Sequence, residues 1–418
     1  MNYMMNNMNK VLMYPFKLVF AFIIFSELLF FFGPVRFECS APVLLILYLL
    51  IVNISFWLGY KAGLRNFTPS YFKFKISTIQ VILVLGLILS VFRLRTMWSS
   101  HGLAISINTL ISSIINPADT YFSDAVNGPE NSGTLSLLLS PIMWMALPLG
   151  VYKWKALSPL YRVITILTIL VQVISWLGIG TRKGLFDIIV IILLISIAAN
   201  SSILIDSRKR KRFVRFVIAG VILFVFYFVF SNLSRYGLGL SEINDFNLRA
   251  EIRPFYEEKL PTWLLVTLVS ITGYLCQGYH ALSMALSLGL LPPAFMGSSW
   301  FTMVIAQKFG YNPMPDTYMA ALEPMGIDPS INWHTIYVWL ANDVTFIGVP
   351  LIIFLIGYFF SKTWADCVCG NNDAAVPLFA LFLIMTFYFY ANNQVISFSF
   401  MPFVVCFTLY VLSRTKKV

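Results

Sequence analysis

Charge is scarce in this 418-residue chain: Asp, Glu, Lys and Arg make up only 11% of it, against 59% hydrophobic residues and a mean hydropathy of +0.80. A soluble domain carries roughly 25% charged residues, so this composition excludes a water-solvated globule and points to a chain solvated by lipid. Histidine is rarer still, at three residues, and the five cysteines (Cys39, Cys276, Cys367, Cys369, Cys406) show no two-pair spacing. That scatter excludes a zinc framework or a disulfide scaffold, and the lone Cys367-x-Cys369 pair reads as free thiols. Walker A, GxSxG and HExxH motifs are missing, as are a DxD pair in an outer loop and any long internal repeat. These absences argue against nucleotide hydrolysis, serine-hydrolase and zinc-protease chemistry, metal-dependent transfer from nucleotide sugars, and a repeat-built solenoid.

What the chain has in quantity is apolar runs: Tyr14–Phe32, Ala41–Tyr60, Ile76–Phe92, Thr134–Tyr152, Leu160–Leu177, Leu185–Leu204, Val214–Phe230, Trp263–Leu290, Val344–Phe360, Val376–Tyr390 and Ile396–Leu412. A bilayer core takes roughly 20 apolar residues per helix, so the expected fold is an all-α polytopic membrane protein of about 10–12 transmembrane helices. The first run lacks a small-residue cleavage site and is expected to stay as an anchor. Lys61, Arg65, Lys73, Lys75, Lys153, Lys155, the block Arg208-Lys209-Arg210-Lys211-Arg212 and the tail Arg414, Lys416, Lys417 fall in short loops or ends that the positive-inside rule keeps cytoplasmic. The net charge of +11 is therefore topological, and the basic block is an anchor, with no nucleic-acid partner implied.

Three regions follow: membrane helices over 1–231 with an outer loop at 93–133, an outer region over 232–343, and closing membrane helices over 344–418. The middle region is the polar one, holding Arg235, Glu242, Asp245, Arg249, Glu251, Arg253, Glu257, Glu258 and Lys259 and two of the three histidines, His280 and His334. Eleven crossings would put the basic tail outside. Trp263–Leu290 is therefore expected to lie on the outer side as a re-entrant or surface helix, the alternative being an extra crossing near Phe295–Phe309. Gly273, Gln277, His280, Ser283 and Ser287 share one face of that helix, where a polar stripe faces a cavity or the protein interior. His280 is either a functional imidazole in a polar groove or a packed one bonded to a neighbouring helix.

Between the fifth and sixth runs lies Gly178-Ile-Gly-Thr-Arg-Lys-Gly184. Lys183 has a local partner in Asp187, four residues on, whereas Arg182 has none; an arginine in a glycine turn at an outer boundary suits a diphosphate, unless it simply snorkels.

The glycine turn, the arginine-bearing outer loop, Tyr274-Leu-Cys-Gln-Gly-Tyr-His-Ala-Leu-Ser-Met-Ala-Leu286 and Trp333-His-Thr-Ile-Tyr-Val-Trp-Leu-Ala-Asn-Asp343 together resemble the Wzy-type O-antigen polymerases, in hydropathy and loop plan over nearly the whole chain. The resemblance implies a C-type glycosyltransferase-like membrane fold in a bacterial inner membrane, with both termini cytoplasmic and a large periplasmic loop region. It also implies polymerisation of undecaprenyl-diphosphate-linked oligosaccharide repeat units without metal or cofactor, alongside a flippase and a chain-length regulator of the same pathway. Arg182 matches the family's glycine-turn arginine, and Arg235, Arg249 and Arg253 its loop arginines, as ligands of the diphosphate.

Metal-free transfer needs cations for the departing diphosphate and a base for the acceptor hydroxyl. His280 is the first choice of base, then His334, with Asp343 and Glu323 as carboxylate alternatives; Tyr274, Gln277, Ser283 and Glu323 are expected to line the groove. His334, beside Trp333, also fits a mere interfacial aromatic belt. A lipid-linked oligosaccharide flippase or other transporter, and an O-antigen ligase, are the competing functions.

Overall fold

A computed structural model describes residues 8–65, 67–100, 111, 134–178, 183–236, 250–329, 332–370 and 372–415. Every apolar run becomes helix: α1 (Tyr14–Phe32), α2 (Pro42–Leu64), α3 (Ile76–Ser100), α4 (Thr134–Tyr152), α5 (Pro159–Gly178), α6 (Lys183–Ala199), α7 (Ser207–Tyr236), α8 (Thr262–Ser287), then a nine-residue α9 (Trp300–Lys308), α10 (Ile336–Ala365), α11 (Ala375–Phe387) and α12 (Gln394–Thr415). Among the described residues the sheet is confined to β1 (Val35–Phe37) and β2 (Ala250–Ile252), paired antiparallel with Arg36 opposite Glu251. Starts follow local rules. Pro15 and Pro42 sit in the first turns of α1 and α2, where a missing N–H costs nothing, and the Ser299 and Thr335 hydroxyls cap α9 and α10.

Seven helices of the described residues are long and apolar enough to cross a membrane, with two shorter apolar helices, Leu137–Tyr152 and Ala375–Phe387. The protein is thus, by length and composition, a multi-pass membrane protein. α2 and α10 form the tightest pair: a methyl group at Gly59 would overlap the Phe354 carbonyl, and one at Gly357 would meet the Phe56 carbonyl at 2.5 Å. Small residues at such crossings let two backbones touch, which lipid-embedded helices use in place of a hydrophobic driving force.

Contacts sort the connections into two ends. At the first, the Trp364 indole donates to the Val11 carbonyl at 3.0 Å, Arg414 donates to the Thr68 carbonyl at 3.0 Å and pairs with Asp366, and Lys153 pairs with Asp373 at 2.6 Å. The start of α1 and the end of α12 therefore lie together, at the end that also carries Lys153 and the loop after α2. At the opposite end, Arg253 reaches the Phe31 and Gly33 carbonyls, and Ser40 meets Ser283. Arg253, ahead of α8, and Ser283, near its end, both lie at this second end. An extra crossing at 295–309 is excluded by length, since nine helical residues of α9 rise only about 14 Å.

Two boundaries differ from the sequence reading. α3 runs to Ser100, past Phe92, because Arg93-Leu-Arg-Thr continues a helical pattern that hydropathy alone truncates. α10 begins at Ile336, so the stretch assigned to the outer region up to Asp343 is helical, and a break at Thr345 (φ 57°) separates it from the apolar remainder. Of the outer loop expected over 93–133, residues 101–110 and 112–133 lie outside the described residues.

Candidate functional site

The middle of the polar stripe of α8 turns into protein, while Gly273 is half-buried and Ser287 exposed. Gln277, His280 and Ser283 are 4%, 0% and 0% exposed. Gln277 accepts from the Trp333 backbone N–H at 3.1 Å, Ser283 accepts from the Ser40 N–H at 3.2 Å, and His280 Nδ1 is 2.7 Å from the Glu38 carbonyl, with its ring on Phe37. Tyr274 stands edge-on to Trp333 at 4.3 Å. Of the two outcomes open for such a stripe, the interior is realised: α8 is a strut that pins the loop after α1 on one flank and the segment before α10 on the other. The open groove expected around His280 is filled by β1 and its following loop.

The other sequence candidates are similarly engaged. Asp343 accepts from the Gly297 N–H at 2.7 Å, fixing the loop before α9. Glu323 is exposed at the end of a short helical turn. Arg253 donates Nε to Gly33 and Nη2 to Phe31, at 3.0 and 2.7 Å, so its fork caps the last carbonyls of α1. His334 is fully buried; neither ring nitrogen meets hydrogen-bond geometry, and burial lowers its pKa to about 4, against a smaller opposing pull from the Asn332 carbonyl. Its backbone is clamped to Asn392, whose side chain also takes the Trp339 indole N–H at 3.0 Å. Arg182, Arg249 and the Arg235 side chain lie outside the described residues.

A different group of residues gathers around open space. A small cleft open to solvent lies between α3, α4, α5 and α6 at the α8 end of the bundle. Its polar lining is Ser90, Arg93, Gln172, Ser175, Trp176 and Asp187, and Met143, Leu147 and Ile191 supply apolar wall. The Arg93 guanidinium lies over the Trp176 ring, 5.3 Å from its centroid, and no carboxylate of the described residues is within ion-pair distance. Lys183 holds Asp187 Oδ2 at 2.8 Å, the i,i+4 pair expected from sequence, while Asp187 Oδ1 and the buried Ser90 hydroxyl meet no hydrogen-bond partner among the described residues. No protein-family model, curated protein or solved structure matches this chain.

Gly184 makes the arrangement possible: any side chain there would collide with the Trp176 indole, so the glycine that opens α6 lets the ring lie against its backbone and carry Arg93. Sequence reasoning recognised the glycine turn and its cations but placed Arg93 merely at the start of a loop. The missed signal was Ser90-Val-Phe-Arg93, an arginine one turn after a serine within an apolar helix. Buried cations in such helices mark functional interiors.

Proposed function

We propose that this protein is a membrane glycosyltransferase that moves an oligosaccharide from an undecaprenyl diphosphate carrier onto another lipid-linked repeat unit, on the membrane face where α8 and its loops lie. The observation that carries this reading is the Arg93 cavity. An arginine on an aromatic platform, with no carboxylate of the described residues within ion-pair distance and with the Ser90 hydroxyl and Asp187 carboxylate in the same lining, has the chemistry to receive an anionic, hydroxyl-rich head group. The guanidinium binds two phosphoryl oxygens and stabilises the charge that grows as the sugar departs, with no change in its own protonation. Trp176 and Gln172 suit sugar rings, and apolar wall continuing into lipid suits the carrier chain. Lys183, the first residue of α6, lies at the same end.

A transporter of the same lipid-linked substrate has one observation in its favour: Glu27 in α1 and Asn53 in α2 form a buried pair, the Asn53 amide donating to both carboxyl oxygens at 2.8 and 2.9 Å. Ionisable groups within spans serve transporters as well as enzymes. The surface glycan of cells lacking the protein separates these readings. Polymerisation predicts lipid A core bearing a single repeat unit; core with no repeat unit at all would instead indicate a transporter or a ligase.

A further inference from the structure

We infer that Asp187 is the proton acceptor of the reaction, a role that rests on the glycosyl-transfer reading and that sequence reasoning gave to His280, His334, Asp343 or Glu323. The geometry favours Asp187 over each of these. His280 faces a loop carbonyl, Asp343 a loop N–H, Glu323 lies exposed on a surface turn, and His334 is sealed behind the Asn392 clamp. Asp187 lines the Arg93 cavity. One of its oxygens is fixed by Lys183, whose ammonium also lies 5.0 Å from the Tyr388 ring centroid. The other oxygen is buried and meets no hydrogen-bond partner among the described residues. A buried acceptor left open is unfavourable, so the site is poised for a donor, and a sugar hydroxyl is the donor that transfer supplies.

The step balances as follows. The acceptor hydroxyl oxygen forms a bond to the anomeric carbon, the carbon–oxygen bond to the diphosphate breaks, and its electron pair leaves on the diphosphate beside Arg93. The hydroxyl proton passes to Asp187 Oδ1 and later to water. A carboxylate held by one oxygen and free at the other keeps its orientation through the transfer, which general-base catalysis requires.

Azide tests this directly, because it attacks an anomeric carbon without giving up a proton. The full-length protein in lipid nanodiscs is incubated with the undecaprenyl-diphosphate-linked oligosaccharide that accumulates in cells lacking it, with and without sodium azide, for wild type, Asp187→Asn and Asp187→Ala. Rates are normalised to folded protein. The inference predicts loss of glycan extension by about 100- to 10,000-fold in both variants, with glycosyl azide formed within about tenfold of the wild-type rate. Extension within about tenfold of wild type would overturn it. So would loss of both reactions in folded variants, which would make Asp187 a positioning residue. Wild-type protein that transfers to neither acceptor would overturn the glycosyl-transfer reading itself, and this inference with it.

Discussion

At Arg93, function and stability pull in opposite directions. Arg93 is partly buried and meets no carboxylate of the described residues within ion-pair distance, a desolvation that a cation–π contact of about 0.5–2 kcal/mol offsets only in part. Arg93→Met should therefore raise the thermal midpoint of the purified protein while removing transfer. A lowered midpoint would show the arginine to be structural. Arg93→Lys keeps the charge and loses the fork, so turnover should fall by a decade or more, each decade being about 1.4 kcal/mol of barrier, at unchanged protein abundance. His280→Gln should act on stability instead, costing about 1 kcal/mol for the lost bond to the Glu38 carbonyl and leaving turnover per folded molecule close to normal. His334 gives a pH signature. Its folded pKa of about 4 lies below the ordinary 6.5, so the unfolded chain binds the extra proton first. The His334 contribution is intact above pH 6.5 and is lost at about 1.4 kcal/mol per unit as pH falls from there towards 4. His334→Gln should flatten that part of the stability profile; an unchanged slope would mean that the imidazole is solvated. Both histidines were legible as unusual residues, but not their surroundings, because the loop carbonyl at Glu38 lies 242 positions from His280 in the chain.

Among the elements, the helices were almost fully written in hydropathy, since each apolar run forms one and only the ends moved. α3 overran its expected end because Arg93 and Arg95 break an apolar run without breaking a helix, and that overrun carries Arg93 to the cavity. The stripe on α8 was equally legible as a stripe. Its partners were not, because Ser40 and Trp333 reach it through backbone N–H groups that every residue possesses. Gly184 is the test of the cavity's construction. Gly184→Ala adds a methyl group where the Trp176 indole lies, and α6 cannot yield without disturbing the Lys183–Asp187 pair. Transfer should fall at least tenfold. Shortening the ring with Trp176→Leu in the alanine background should restore helix packing, read as thermal stability, without restoring activity. A fully active Gly184→Ala protein would mean that the platform under Arg93 is dispensable.

For the whole molecule, contacts place the start of α1 and the end of α12 at one end, and Arg253 before α8 and Ser283 within it at the other. Asp366 shows why that shared end is fixed: its carboxylate takes the Ser70 backbone N–H at 2.9 Å, the Ser70 hydroxyl at 2.8 Å and the Tyr410 hydroxyl at 2.6 Å, besides pairing with Arg414. Tyr410 and Arg414 are one helical turn apart, but Ser70 lies far from both in sequence, and no motif announced the cluster. In a cysteine-free background, single cysteines at Leu290 and at Ser207 should differ in reactivity toward a membrane-impermeant thiol reagent in intact cells, with Leu290 labelled; equal labelling of both would break the two-ended arrangement. The central claim is transfer itself. Purified protein in nanodiscs, supplied only with its lipid-linked oligosaccharide, should release undecaprenyl diphosphate in step with lengthening of the remaining glycan, and Arg93→Ala should do neither. Movement of the intact substrate across a vesicle membrane, with neither release of carrier nor growth of glycan, would contradict the account.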